Sequence, residues 1–199
     1  MKAWYFSTTE RKLRYGDDRD IAIGVTHRVE GNPGPCEHGL HGSVRILDAL
    51  KYSPGPVVWE VELGGKMVEH EDHDKWAATE RAYLAGGIDI TGTLRAFARR
   101  CALDVAGLWS VPSIVRQYLE TGEKSIRYTA AAAARTAAWD SAWGSAGAAA
   151  GAAAGAAAWA AAGAAAWDSA GAAAGAAAWD KYNRWLEDMV REIISSEEA

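Results

Sequence analysis

Phenylalanine and cysteine are each present only twice in this chain of 199 residues. Cys36 and Cys101 cannot make a disulfide framework, and this usage fits a reducing, cytoplasmic compartment. The opening Met1-Lys2-Ala3-Trp4-Tyr5-Phe6 is too short and too aromatic for a secretory apolar segment. Between Asp140 and Asp168 there is no charge, and Leu, Ile, Val and Phe are missing as well. That span is long enough to cross a bilayer, and Gly147, Gly151 and Gly155 double the GxxxG spacing. Alanine and glycine gain little in hydrocarbon, however, and no Lys/Arg cluster flanks the segment, so helix association in water is the better reading and no membrane partner is expected. An excess of positive charge is also lacking. The formal net charge is −5, nearly balanced over the first 128 residues, so nucleic acid is not an expected partner.

What is present in abundance is alanine, in a four-residue rhythm. Stepping by four from Arg135 meets Trp139, Trp143, Gly147, Gly151, Gly155, Trp159, Gly163, Trp167, Gly171, Gly175 and Trp179. Alanine has the best helix propensity and no proline interrupts, so the tract predicts helix. Each glycine costs about 1 kcal/mol against alanine, which calls for a compensating close approach of another backbone or ring. A helix turns about 100° per residue, so a four-residue stripe drifts about 40° per step and winds around its axis. Interlocking Trp knobs and Gly notches are expected, in one wrapped helix or in several shorter antiparallel ones. The final segment then shows Trp179, Tyr182, Leu186, Met189 and Ile193 at threes and fours, an amphipathic face seeking a partner. Trp139, Trp143, Gly147, Gly151, Gly155, Trp159, Trp167, Trp179, Leu186, Met189 and Ile193 are the expected self-association residues of a homo-oligomer.

Ahead of the repeat the pattern is mixed. Lys2–Ser7, Ile21–Val25 and Val57–Leu63 read as strands, the last bounded by Pro56 and Gly64-Gly65. Ser43 is placed to cap a helix through Val44, Leu47, Leu50 and Tyr52. Asp74 similarly precedes a helix carrying Trp76, Ala77, Ala82, Tyr83 and Leu84, closed by Gly86-Gly87. Thr91 begins a helix with Leu94, Phe97, Cys101, Ala102, Val105 and Leu108 on one face, Pro112 opens the next, and Ser125 caps the alanine tract. The expected fold class is α+β: a small mixed α/β domain over residues 1–128, then an all-α Ala/Trp/Gly-repeat helical region over 129–199.

No complete catalytic set stands out. Cys36-Glu37-His38-Gly39-Leu40-His41 and His70-Glu71-Asp72-His73-Asp74 hold thiol and imidazole groups that can ligate zinc, yet their spacing matches neither a zinc ribbon nor HExxH. Cys36 beside His38 or His41 has the makings of a thiol nucleophile and base but lacks an orienting third group. Polar loops with structural histidines are the simpler account, with no metal and no cofactor expected. The repeat's Trp residues have faces for stacking on bases, but with no basic residues interleaved they read as packing knobs.

The blocks Lys2-Ala3-Trp4-Tyr5-Phe6, Leu13-Arg14-Tyr15-Gly16-Asp17, Cys36–His41 and Leu47-Asp48-Ala49-Leu50-Lys51-Tyr52, leading into Val57–Leu63, resemble a family of small, mostly uncharacterised phage and prophage proteins with Ala/Trp-rich tails. That resemblance implies a non-enzymatic accessory protein acting in the cytoplasm of a host bacterium. There it would counter a defence by sequestering a nucleotide signal or a host protein. Gly39-Leu40-His41-Gly42-Ser43, the helix to Tyr52 and the following strand are also similar in order to ADP-ribosyltransferase-like folds, which implies a cleft for NAD. Glu71 and Glu80 are the unplaced candidates for that fold's catalytic acid. Arg14, Tyr15, His38, His41, Ser43 and Tyr52 are the ligand-binding residues these resemblances imply. A third reading makes the chain a virion assembly component.

Overall fold

The structure, a computed structural model, describes residues 1–108, 110–140 and 176–197. It is mixed α/β around a five-stranded antiparallel sheet. Its frame is one long hairpin, β4 (Val57–Glu69) and β5 (Trp76–Asp89), preceded by β1 (Lys2–Ser7), β2 (Thr26–Arg28), β3 (Leu40–Gly42) and α1 (Ile46–Lys51). β1 runs along β4 with Lys2 opposite Glu62 and Ser7 opposite Val57. On the far side of the hairpin, β2 pairs with Thr26 opposite Ala82, and β3 pairs with His41 opposite Ala77.

The segment read as an Asp74-capped helix is the strand β5. Its alanines favour helix locally, but Arg81, Tyr83, Ala85 and Gly87 are buried at alternate positions, and the ladder with β4 overrides propensity. Gly86-Gly87 closes no helix; the pair makes a bulge where Val58 stays opposite Ile88 while Trp59 moves opposite Gly86. Both glycines take left-handed backbone, φ 98° and 78°. Trp59 lies over Gly87, and its indole N–H donates to Ser7 Oγ at 2.9 Å.

Two shorter elements also differ from expectation. Residues 21–25 turn instead of extending, with Gly24 at φ 82° and its N–H donating to Tyr83 O, and the strand begins only at Thr26. Ser43 caps nothing. It is buried beside β1, exchanging backbone hydrogen bonds with Trp4, and Arg45 stands at the N-cap of α1.

Among the described residues the further α-helices are α2 (Thr91–Asp104), α3 (Ser113–Thr121), α4 (Arg127–Asp140) and α5 (Ala176–Glu197). The chain divides into two compact units, residues 1–90 with 187–199 and residues 91–186. In the second unit Ala102, Val105, Val115, Tyr118, Leu119, Ala130 and Ala134 form a core. Pro112 directly precedes α3, and Gly122 ends it in left-handed backbone. Ser125 bonds Glu123 within a 3₁₀ turn ahead of α4, and Leu108, expected on the α2 face, is exposed. Asp104 takes hydrogen bonds from Lys181 and, at 2.8 Å, from Tyr182 Oη. In α5 the buried positions are Tyr182, Asn183, Leu186, Val190 and Ile194. Met189 and Ile193, expected on that face, are half-buried, because four-residue steps from Leu186 select Val190 and Ile194.

Of the residues expected to self-associate, Trp143, Gly147, Gly151, Gly155, Trp159 and Trp167 lie outside the described residues, as does the side chain of Trp139. Trp179 is half-buried on α5. Among the described residues no helix is long and apolar enough to cross a membrane.

The bulge supplies a direct test of the frame. A Cβ built on Gly86 would stand 2.5 Å from the carbonyl oxygen of Val58. Gly86→Ala is therefore expected to cost about 1–3 kcal/mol through backbone strain and overpacking. Urea denaturation measures it, and an unchanged midpoint would show the bulge to be dispensable.

Candidate functional site

The hairpin turn carries alternating acids and imidazoles, and its closing residues are the most confined. Asp74 and Lys75 are buried although they border an exposed loop. Isolated charges do not enter a protein surface without partners, and each of these has its own. Asp74 Oδ2 accepts from Lys51 Nζ at 2.7 Å and from Tyr52 Oη at 2.6 Å, both at the C-terminal end of α1. Burial pushes the Asp74 carboxyl up, but the hydrogen bonds from Lys51 and Tyr52 outweigh it and hold the group below its ordinary value. Desolvation of the Tyr52 hydroxyl, then its bond to Asp74, pushes that group up to about 12. Lys75 Nζ donates to Cys36 Sγ at 2.8 Å and lies 3.9 Å from the centre of the Tyr52 ring. Cys36 reaches it from a loop position with φ 68°.

Two sequence-derived expectations meet here and separate. The Cys36–His41 and His70–Asp74 clusters do approach each other, but through Cys36 and Lys75. The Cys36 thiol is bonded to an ammonium and not to a histidine. His38 Nε2 instead meets the Glu30 carbonyl oxygen at 2.6 Å. His41 sits at the middle of β3, and its pKa is pushed down to about 4, by burial first and then by the charges of Lys75 and Arg81. Ser43 is buried in backbone pairing, while Tyr52 is partly exposed over Lys75. Arg14 and Tyr15 are elsewhere, on an exposed turn where the guanidinium stacks on the ring at 4.8 Å. Of the six residues expected to bind ligand, the structure sets Tyr52 against Lys75 and His41 within reach of its charge, turns His38 to Glu30, buries Ser43, and leaves Arg14 and Tyr15 apart.

A cavity of about 240 Å³ opens beside this cluster, lined by Val44, Arg45, Asp48, Glu69, His73, Asp74 and Trp76. None of its lining residues was among those six. Asp48 lies within α1 and carries no motif of its own, and Trp76 opens β5, where the sequence pattern predicts a helix. Across the turn His73 Nδ1 lies 3.2 Å from Glu69 Oε2. His70, Asp72 and Asp74 form a second group, each offering one atom within 4.8 Å of the others, which is the one set of its kind among the described residues. The hairpin end therefore offers acceptors and negative charge, with Trp76 as its apolar wall.

Residues 10–96 match the family model described as Domain of unknown function (DUF7666). The matched span contains β2, β3, α1, the β4–β5 hairpin and every residue lining the cavity. It leaves out β1 and most of the helical unit. No curated protein matches the chain, and no solved structure does.

His41 makes the electrostatics of this unit measurable. Its folded-state value of about 4 lies below the ordinary 6.5, so the unfolded chain takes up the proton first as pH falls. Stability should then decline progressively from pH 6.5 towards 4 and be unaffected by this group above that window. His27, also lowered, by burial first, contributes in the same sense. His41→Gln is expected to flatten the decline without abolishing it, measured as melting temperature against pH. Superimposable profiles for the two proteins would place His41 in solvent.

Proposed function

We propose that this chain is a non-enzymatic accessory protein whose α+β unit sequesters a small, positively charged ligand at the end of its long hairpin. The observation that carries this reading is the cavity lining. The carboxylates of Asp48, Glu69 and Asp74 outnumber the one guanidinium, Arg45, and Trp76 offers a ring face to a cation. Size selects further, because at about 240 Å³ the cavity falls below the roughly 300–1,000 Å³ of drug-sized sites. A polyamine fragment or an amino-acid-sized amine suits it. A dinucleotide does not, which weighs against the NAD-using alternative, and a free nucleotide phosphate would face carboxylates. The resemblance of the N-terminal blocks to phage and prophage proteins suggests the setting, a bacterial host whose small-molecule defence signal or metabolite is withdrawn by binding.

Native purification of the full chain from bacterial cells, in buffer containing a chelator, followed by denaturation and mass spectrometry of the supernatant, tests this. A cationic small molecule in near-equimolar amount is expected, and it should disappear in Glu69→Gln. Recovery of nothing, or of an anion that Glu69→Gln retains, would overturn the reading. Expression in a phage-restricting host supplies the biological readout, where improved phage yield should depend on Glu69.

A further inference from the structure

We propose that His70, Asp72 and Asp74 bind a single divalent metal ion at the turn between β4 and β5. The site goes beyond the cavity reading and rests on different atoms, sharing only Asp74. Three residues at every second position of a tight turn bring one imidazole nitrogen and two carboxylate oxygens within 4.8 Å of one another. His70 Nδ1 is the common neighbour, 3.1 Å from Asp74 Oδ1 and 3.7 Å from Asp72 Oδ2. Ligands about 2.0–2.3 Å from an ion stand roughly 3–4 Å from each other, so the group needs only a small closing movement. Asp72, 70% exposed on a turn, is free to make it.

The independent observation concerns Asp74. Its side chain is only 10% exposed, and Oδ1 is buried with no hydrogen bond, although the carboxylate's other oxygen has two. A buried carboxylate oxygen without a donor is costly and calls for a missing partner. The nearest polar atom does not supply one. His70 Nδ1 lies 3.1 Å away with no hydrogen bond between them, while the backbone N–H of Asp72 approaches Nδ1 at 3.4 Å. With Nδ1 unprotonated, one imidazole nitrogen and two carboxylate oxygens converge on one point, an arrangement that a cation relieves.

The surroundings fit the same ion. Lys51 and Tyr52 hold Asp74 Oδ2 and so fix the direction of Oδ1, as partners outside the ligand set do in metal sites. The donor set of one imidazole and two carboxylates, with positions left for water, suits Mn²⁺, Fe²⁺ or Zn²⁺. Cys36 Sγ, the soft donor nearby, is bonded to Lys75 and stays outside the set.

Titration of the metal-free full chain with MnCl₂, followed by calorimetry and by the loss of the free-ion paramagnetic resonance signal, tests the site. One ion per chain is expected. Asp72→Asn alters an exposed side chain and threatens no fold, and it should weaken binding about tenfold or more, as should His70→Ala. Glu69→Gln, which removes the cavity's amine ligand, should leave manganese binding within about twofold, so the two readings fail separately. Absence of binding at millimolar Mn²⁺, or binding that survives both Asp72→Asn and His70→Ala, would overturn the proposal.

Discussion

The pairing of β4 with β5 is the constraint on which the first unit depends. Every other strand of the sheet is attached to one arm of this hairpin, β1 to β4, and β2 and β3 to β5. Two features secure the ladder's middle. The bulge at Gly86-Gly87 makes room for the Trp59 ring. Arg81 is almost fully buried, donating to Tyr83 Oη at 2.9 and 2.7 Å and to the His41 carbonyl at 2.6 Å, with Tyr5 3.7 Å beneath its guanidinium. A buried charge becomes tolerable when its donors are met and its face is stacked on a ring. Arg81 thereby joins β1, β3 and β5 at one point and fixes their register. Tyr83 shares the cost, its hydroxyl pushed up to about 12 by burial, with Arg81 acting in the opposite direction.

Beyond this paired and buried middle, the far end of the hairpin holds groups that would otherwise stay in water. Asp74 and Lys75 are buried side by side, yet each faces different chemistry. Asp74 turns to Lys51 and Tyr52, while Lys75 turns to Cys36 and the face of that same tyrosine. Tyr52 serves both neighbours, as hydroxyl donor to one and as ring to the other. The outcome is a held carboxylate in the wall of a small cavity that Asp48, Glu69, Arg45 and His73 also line. The span that matches the domain family contains this whole arrangement.

How much of this was legible in the sequence depended on whether a local signal agreed with the tertiary one. β1, the start of β4, and α2 were readable because aromatic alternation and the Leu94/Phe97/Cys101 spacing match their burial. β5 was not, since Ala77, Ala78, Ala82 and Ala85 favour helix and only pairing with β4 reveals the period of two. Ser43 looked like a cap because a hydroxyl before an apolar run usually is one, but its backbone was needed by Trp4. The candidate site was half visible. The His70–Asp74 run is visible as a cluster, but the partners that organise it, Lys51 and Tyr52 at the end of α1, are 23 and 22 residues from Asp74 and no spacing rule joins them. Asp48 and Glu69 carried no motif at all. In α5 the sequence pattern and the buried face agree at Tyr182 and Leu186 and diverge beyond, because threes and fours admit both Met189 and Val190.

The central claim is that a rigid hairpin middle presents a ligand-accepting end. Amide hydrogen exchange of the full chain, with and without Mn²⁺, tests both halves at once. The account predicts the slowest exchange at the paired residues around Val61 and Tyr83, and metal-induced protection concentrated over residues 69–76. Fast exchange through the middle of the ladder, or metal-induced protection spread elsewhere while 69–76 stays unchanged, would contradict it.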